Sequence, residues 1–237
     1  MILLRIYYVK NFYDVFLHFK LGGYEMSLFL GKIHYWLFNK ILWFERLEDE
    51  IINLAKEEGL NIEILSNEIN KKYGAKLPNK SLEDMIDTSN IHGWLQSKIH
   101  SAEGRMAVWT TEIIKNNEKS KSKMEEIYSY QGTKAAREVI ENSGELTTAV
   151  DIFNSINDYI LDGMPCDRVN EVITSEENIV EWRRTICVHK DIWNESNGDV
   201  NYFYYLRNLW IKAFVNEVSP EFEYIEKENG VMAIQKC

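Results

Sequence analysis

Only three prolines and twelve glycines interrupt 237 residues. So few chain breakers argue against the many tight turns of a β-sandwich or barrel, and long stretches rich in Glu, Lys, Ile, Leu and Asn favour helices. Cysteine is as scarce. Cys166, Cys187 and Cys237 form an odd, widely spaced set, unlike the framework of a small secreted disulfide protein, and point to a reducing cytoplasmic setting. Positive charge is in deficit: 27 Lys and Arg against 37 Asp and Glu give a formal net charge of −10. That balance disfavours nucleic acid as the main partner, because phosphates are held by basic surfaces. Long apolar runs are missing too. Arg5, Lys10, Asp14, Lys20, Glu25, Lys32 and Lys40 interrupt the aromatic-rich opening before any run reaches the roughly 18 residues of a spanning helix. Neither a signal peptide nor a membrane span is expected. No phosphate loop, dinucleotide fingerprint or serine nucleophile elbow is present.

A hydrophobic fraction of 45% and a charged fraction of 27% are ordinary for a globular chain of this length and suit one domain. The stretch "GGYEM" at 22–26 could be encoded by a purine-rich ribosome-binding site ahead of an initiating Met26. Residues 1–25 are therefore expected to be upstream-translated or loosely attached, and residues 26–237 to form a single helical domain.

The chain repeats itself. Sliding it by 58 positions aligns 33–76 with 91–134, and eleven of the 44 pairs are identical. Ile33, His34, Trp36, Leu37, Lys40, Ile41 and Glu45 recur as Ile91, His92, Trp94, Leu95, Lys98, Ile99 and Glu103. Two copies are too few for a solenoid, so the repeat predicts a duplicated helical hairpin with pseudo-twofold packing. Apolar steps of four and three mark the buried face of each first helix: Leu37, Ile41, Phe44, Glu48, Ile51 and Ala55, answered by Leu95, Ile99, Ala102, Met106, Trp109 and Ile113.

Eleven residues at 100° each bring Glu45 to within about 20° of His34 around the helix, and Glu103 likewise of His92. Three turns separate each His from its own Glu, so each needs another partner. Antiparallel packing would give crossed pairs, His34 with Glu103 and His92 with Glu45. Such pairs read as structural hydrogen bonds inside a core, or as a divalent-metal site for Zn, Fe or Mn. His100, three residues before Glu103, could join the same cavity. The candidate ligand set is His34, Glu45, His92, His100 and Glu103. The Glu-x-x-His pattern of ferritin-like di-iron proteins is absent, since "HSAE" runs in the opposite order.

In the C-terminal half, helices are expected over 145–162, from the capping-box spacing of Thr174 and Glu177 to about Trp193, and over 199–217, with "GVMAI" as a candidate short strand. The steps Ile179, Trp182, Ile186, His189 and Trp193 place His189 inside the bundle. Arg184 and His189 resemble the Arg-x4-His spacing of HEPN-type helical ribonucleases, a resemblance confined to those two residues. Cys166, after the Gly163 and Pro165 turn, is a candidate nucleophile near a helix N-terminus, with His189 or His100 as its base.

These readings predict an all-α bundle of six to eight helices. A His and carboxylate pocket would serve a divalent-metal-dependent enzyme acting on a small molecule, with Glu103 as ligand or base and His189 orienting substrate. One alternative is a metal-independent hydrolase or transferase using Cys166, and another is a non-catalytic interaction module. No feature specifies an oligomeric state.

Overall fold

A computed structural model describes residues 30–237; the expectations for residues 1–25 and for a start at Met26 lie outside the described residues. The repeat appears as matched helices. Helix α1 (Lys32–Glu57) and helix α3 (Ile91–Asn116) are each 26 residues long. Helix α2 (Ile62–Tyr73) follows the first and α4 (Lys121–Ser143) the second. Gly59, at φ +80°, makes the left-handed turn that lets the chain leave α1 for α2. All twelve predicted stripe positions on α1 and α3 are buried, and each large apolar one contributes roughly 1.5–3 kcal/mol by leaving water.

The two helices do not pack antiparallel. His34 and His92, near the two N-termini, have ring centroids 5.6 Å apart. Arg105 in the middle of α3 reaches Glu48 in the middle of α1 at 2.9 Å, and Asn116 at one C-terminus donates to the Glu58 carbonyl beyond the other at 3.0 Å. Starts meet starts and ends meet ends, so α1 and α3 run parallel and nearly in register. Helix α2 and the loop of residues 74–90 carry the chain back between them. A second shared pair has a local cause: Lys40 lies over Trp36 and Lys98 over Trp94, at 3.5 and 5.4 Å from the ring centroids, the (i, i+4) geometry of a cation above an aromatic face.

The C-terminal half corrects the all-α expectation. After helix α5 (Ala149–Asn157), strands β1 (Asn170–Glu176) and β2 (Ile179–Arg184) form an antiparallel hairpin. Helices α6 (Lys190–Glu195) and α7 (Val200–Val218) follow, and then strands β3 (Phe222–Glu226) and β4 (Val231–Lys236). The four strands make one antiparallel sheet in the order β1-β2-β4-β3. The helix expected from Thr174 is this hairpin. Val180 and Trp182 are buried while Ile179, Glu181 and Arg183 are not, the period of two of a half-covered strand. Beta-branched Val172, Ile173, Thr174, Ile179 and Val180 flanking a two-residue turn carried that signal. The strand expected at "GVMAI" is β4, and the expected last helix is α7.

Helix α7 is the spine of this half. It packs along α4 where Gly132 meets Trp210, so closely that a Cβ at Gly132 would stand 2.2 Å from the Trp210 carbonyl oxygen. Gln131 locks the junction by donating to the Trp43 carbonyl at 2.9 Å and accepting from Trp210 Nε1 at 3.0 Å. No described helix is long and apolar enough to cross a membrane.

Candidate functional site

Four separate segments bring charged side chains to one buried point. Glu103 comes from mid-α3, Arg207 from mid-α7, His189 from the N-cap of α6, and Asp162 from the link after α5. His189 has no exposed surface. Its Nε2 lies 3.0 Å from Asp162 Oδ1 and its Nδ1 lies 3.0 Å from Glu103 Oε1. The first is a hydrogen bond; the second is a charge contact without hydrogen-bond alignment, and neither of its atoms has another hydrogen-bond partner. Arg207 grips Asp162 with both terminal nitrogens, at 3.1 and 2.7 Å, and Asn170 adds a donor at 2.8 Å.

The charges follow from that geometry. Burial alone would pull the His189 imidazole down, but Glu103 and then Asp162 outweigh it and push the group up to about 9. Burial would raise Asp162, yet Arg207 and His189 hold its carboxyl far below the usual range. His189 is therefore a protonated clamp between two carboxylates, with both ring nitrogens engaged, and is not a free base. Nearby Lys40 is drawn down to about 7, chiefly by burial, against the opposing pull of Asp162 and Asp158.

Of the residues singled out from sequence, the fold brings His189 and Glu103 together and leaves the others elsewhere. Cys166 is exposed in the turn Pro165–Asp167. His34 accepts from its own helix start, Gly31 N, at 2.9 Å, and its imidazole is held below its ordinary range by burial and by His92. Glu45 is taken by Arg105 Nη2 at 2.5 Å, and His100 lies beside Tyr73. The crossed His to Glu pairs are thus replaced by His34 with His92, Glu45 with Arg105 and Glu103 with His189. Because α1 and α3 are parallel, the two conserved spacings cannot exchange partners. Among the described residues no three His, Cys, Asp or Glu side chains are arranged to hold a metal ion, and the five expected ligands His34, Glu45, His92, His100 and Glu103 are not gathered at one point. Arg184 ends β2 and His189 precedes α6, so the HEPN-like spacing does not lie on one helix.

Sequence reasoning passed over the surface behind this network. Asn201, Tyr204, Tyr205 and Asn208 are spaced three, one and three residues apart, which is one face of α7. With Arg184 and the β3–β4 hairpin they line a cleft of about 260 Å³. The Arg184 guanidinium carbon lies over the Tyr204 ring, 3.2 Å from its centroid. Its Nε is buried and has no hydrogen-bond partner among the described residues. Burial and then the field of Arg207 lower its pKa, the mark of a cation short of compensating negative charge. Lys227, also on the cleft wall, is neutralised by Glu181 at 2.7 Å. Asn208 spends its carbonyl oxygen on the Tyr224 hydroxyl at 3.0 Å, which leaves its amide NH2 as a donor. The periodic polar face of α7 was the available signal; it was absorbed into the description of an aromatic helix.

A smaller cavity of about 30 Å³ lies on the other side of Arg207, among Trp43, Tyr128, Tyr159 and Trp210. It has room for water and not for a metabolite. Comparison of the chain with protein-family models, curated proteins and solved structures gives no match.

Proposed function

We propose that this protein binds a small anionic organic molecule in the cleft between α7 and the β3–β4 hairpin, with Arg184 as the anchor. The observation that carries this reading is the Arg184 guanidinium at the cleft wall, which lies over Tyr204 and makes no ion pair or hydrogen bond among the described residues. A cation without a compensating carboxylate is costly to hold partly buried, and a ligand carboxylate in the cleft would supply the missing charge. A guanidinium held over an aromatic ring is also restrained in position for a carboxylate or phosphate. The buried network fits a supporting role: Asp162 holds Arg207, one turn of α7 beyond Tyr204, and the His189 ring packs against Tyr204 with centroids 5.6 Å apart. The cleft lies just under the ~300 Å³ at the low end of ligand pockets, which suits a compact metabolite.

The test is calorimetric titration of the full chain with 3-phenylpropanoate and with its uncharged amide. The acid should bind saturably and the amide at least tenfold more weakly, and Arg184→Gln should remove the difference, as expected for a charge-assisted hydrogen bond. Equal affinity for acid and amide, or an unchanged preference in the variant, refutes the reading.

A further inference from the structure

The cleft carries charge of both signs along its sheet side. Arg184 stands at the β2 end beside Tyr204, whereas Glu226, the last residue of β3, lines the hairpin side. Glu226 is exposed and makes no ion pair among the described residues, while its neighbour Lys227 is committed to Glu181. The cleft therefore offers an unused guanidinium and an unused carboxylate. Between them on the sheet lie Val231 and Met232 of β4, and Tyr205 of α7 lines the same cleft. A purely anionic ligand would meet repulsion from Glu226; a purely cationic one would meet repulsion from Arg184. A molecule bearing both charges meets neither, and its apolar part has a surface to cover.

We propose that the ligand is a zwitterion of the free amino-acid class, its carboxylate on Arg184, its ammonium on Glu226 and an apolar side chain against Tyr205 and Met232. This rests on the anion-binding reading above and adds the second charge. Recognition of both ends at once would discriminate against each half-charged analogue, since every missing group leaves its protein partner desolvated and unpaired.

The experiment titrates the full chain with L-phenylalanine and L-leucine, each beside its deaminated acid and its decarboxylated amine. Each amino acid should bind at least tenfold more tightly than its own acid, and the amines should be weakest. Glu226→Gln should bring the amino acid down to the affinity of the acid without weakening the acid, because the repulsion also disappears. Arg184→Gln should weaken amino acid and acid together. If the acids bind as well as the amino acids, or if Glu226→Gln leaves the ranking unchanged, the zwitterion inference falls and the anion site stands. If no acid and no amino acid binds, both fall.

Discussion

Glu103 meets His189 at 3.0 Å in the interior, while its repeat counterpart Glu45 is held by Arg105 at 2.5 Å. One duplicated glutamate has thus been given two different cations. In the first copy the partner lies on the neighbouring repeat helix, and in the second it comes from the C-terminal half. The same spacing that ties α1 to α3 also ties α3 to α6, which joins the repeat to the part of the chain that carries the cleft.

The first prediction is an alkaline loss of stability. His189 titrates near 6.5 when unfolded and is pushed up to about 9 in the fold. A raised base stabilises fully below the unfolded value, and its contribution disappears as pH rises through the folded one. Lys40, drawn down to about 7, contributes the opposite slope over the same range, so the measurement is made in a Lys40→Met background, where urea unfolding should show stability falling by on the order of 3 kcal/mol between pH ~6.5 and ~9.5. His189→Gln should be less stable at neutral pH and should lack that limb. A variant with the same alkaline slope as the parent would show that another group is responsible.

The glycine at the α4–α7 crossing predicts a packing defect. A Cβ at position 132 would meet backbone, the Trp210 carbonyl oxygen at 2.2 Å, which cannot rotate aside as a side chain can. Gly132→Ala should lower stability by roughly 1–3 kcal/mol, the range of core overpacking, even though alanine is the better helix former. Gly144→Ala is a useful contrast, since nothing surrounds that position within 4 Å and its cost is the positive φ of 80° alone. Chemical denaturation of the two variants separates steric from backbone strain. A stabilised Gly132→Ala would mean that the helices can separate at no cost.

How much of this was legible in the sequence varies with the physics involved. The stripes of α1 and α3 were readable because one helical period extends over about five turns, and the duplication repeats it. Direction was not: a periodic face fixes which residues are buried but is identical for parallel and antiparallel neighbours. The β1–β2 hairpin was hidden because Ile179, Trp182 and Ile186 satisfy a helical spacing by chance, while Val180 and Trp182 satisfy the strand period. Over so short an apolar run the two cannot be told apart by period alone. His189 and Glu103 could be nominated as buried polar residues, but Asp162 and Arg207, which complete the network, sit in a link and on an aromatic helix where no local pattern marks them.

Cysteine reactivity provides a further test. Sequence reasoning expects Cys166 to react faster, on the premise that Cys187 lies within a helix. Cys187 instead follows β2 and is exposed, as is Cys166. The Tyr204 hydroxyl donates to Cys187 Sγ at 3.2 Å, a contact that fixes the position of the sulfur. With Cys237 replaced by serine, Tyr204→Phe should change the alkylation rate of Cys187 and leave that of Cys166 unchanged, as followed by mass spectrometry of the two peptides. A uniform change at both thiols would point to general loosening and not to that hydrogen bond.

The parallel arrangement of α1 and α3 predicts which pairs of substitutions are coupled. Arg105 donates through Nε to Glu48 at 2.9 and 3.0 Å and through Nη2 to Glu45, and both the arginine and Glu48 are 1% exposed. Burial raises Glu48 despite the arginine, so removing the cation strands two carboxylates in the core. Arg105→Ala should cost about 3–5 kcal/mol, the range for breaking a buried pair from one side. Glu48→Ala added to it should cost much less than it does alone, because one of the stranded charges has been deleted. His34→Ala loses the bond from Gly31 N, about 1 kcal/mol, together with its packing against His92. Since His34 and Glu103 share no partner, His34→Ala with Glu103→Ala should add to within about 0.5 kcal/mol. An antiparallel pair would reverse the result, coupling His34 to Glu103 and leaving Arg105 and Glu48 independent. Measured double-mutant cycles from urea unfolding therefore decide the relative direction of the two repeat helices.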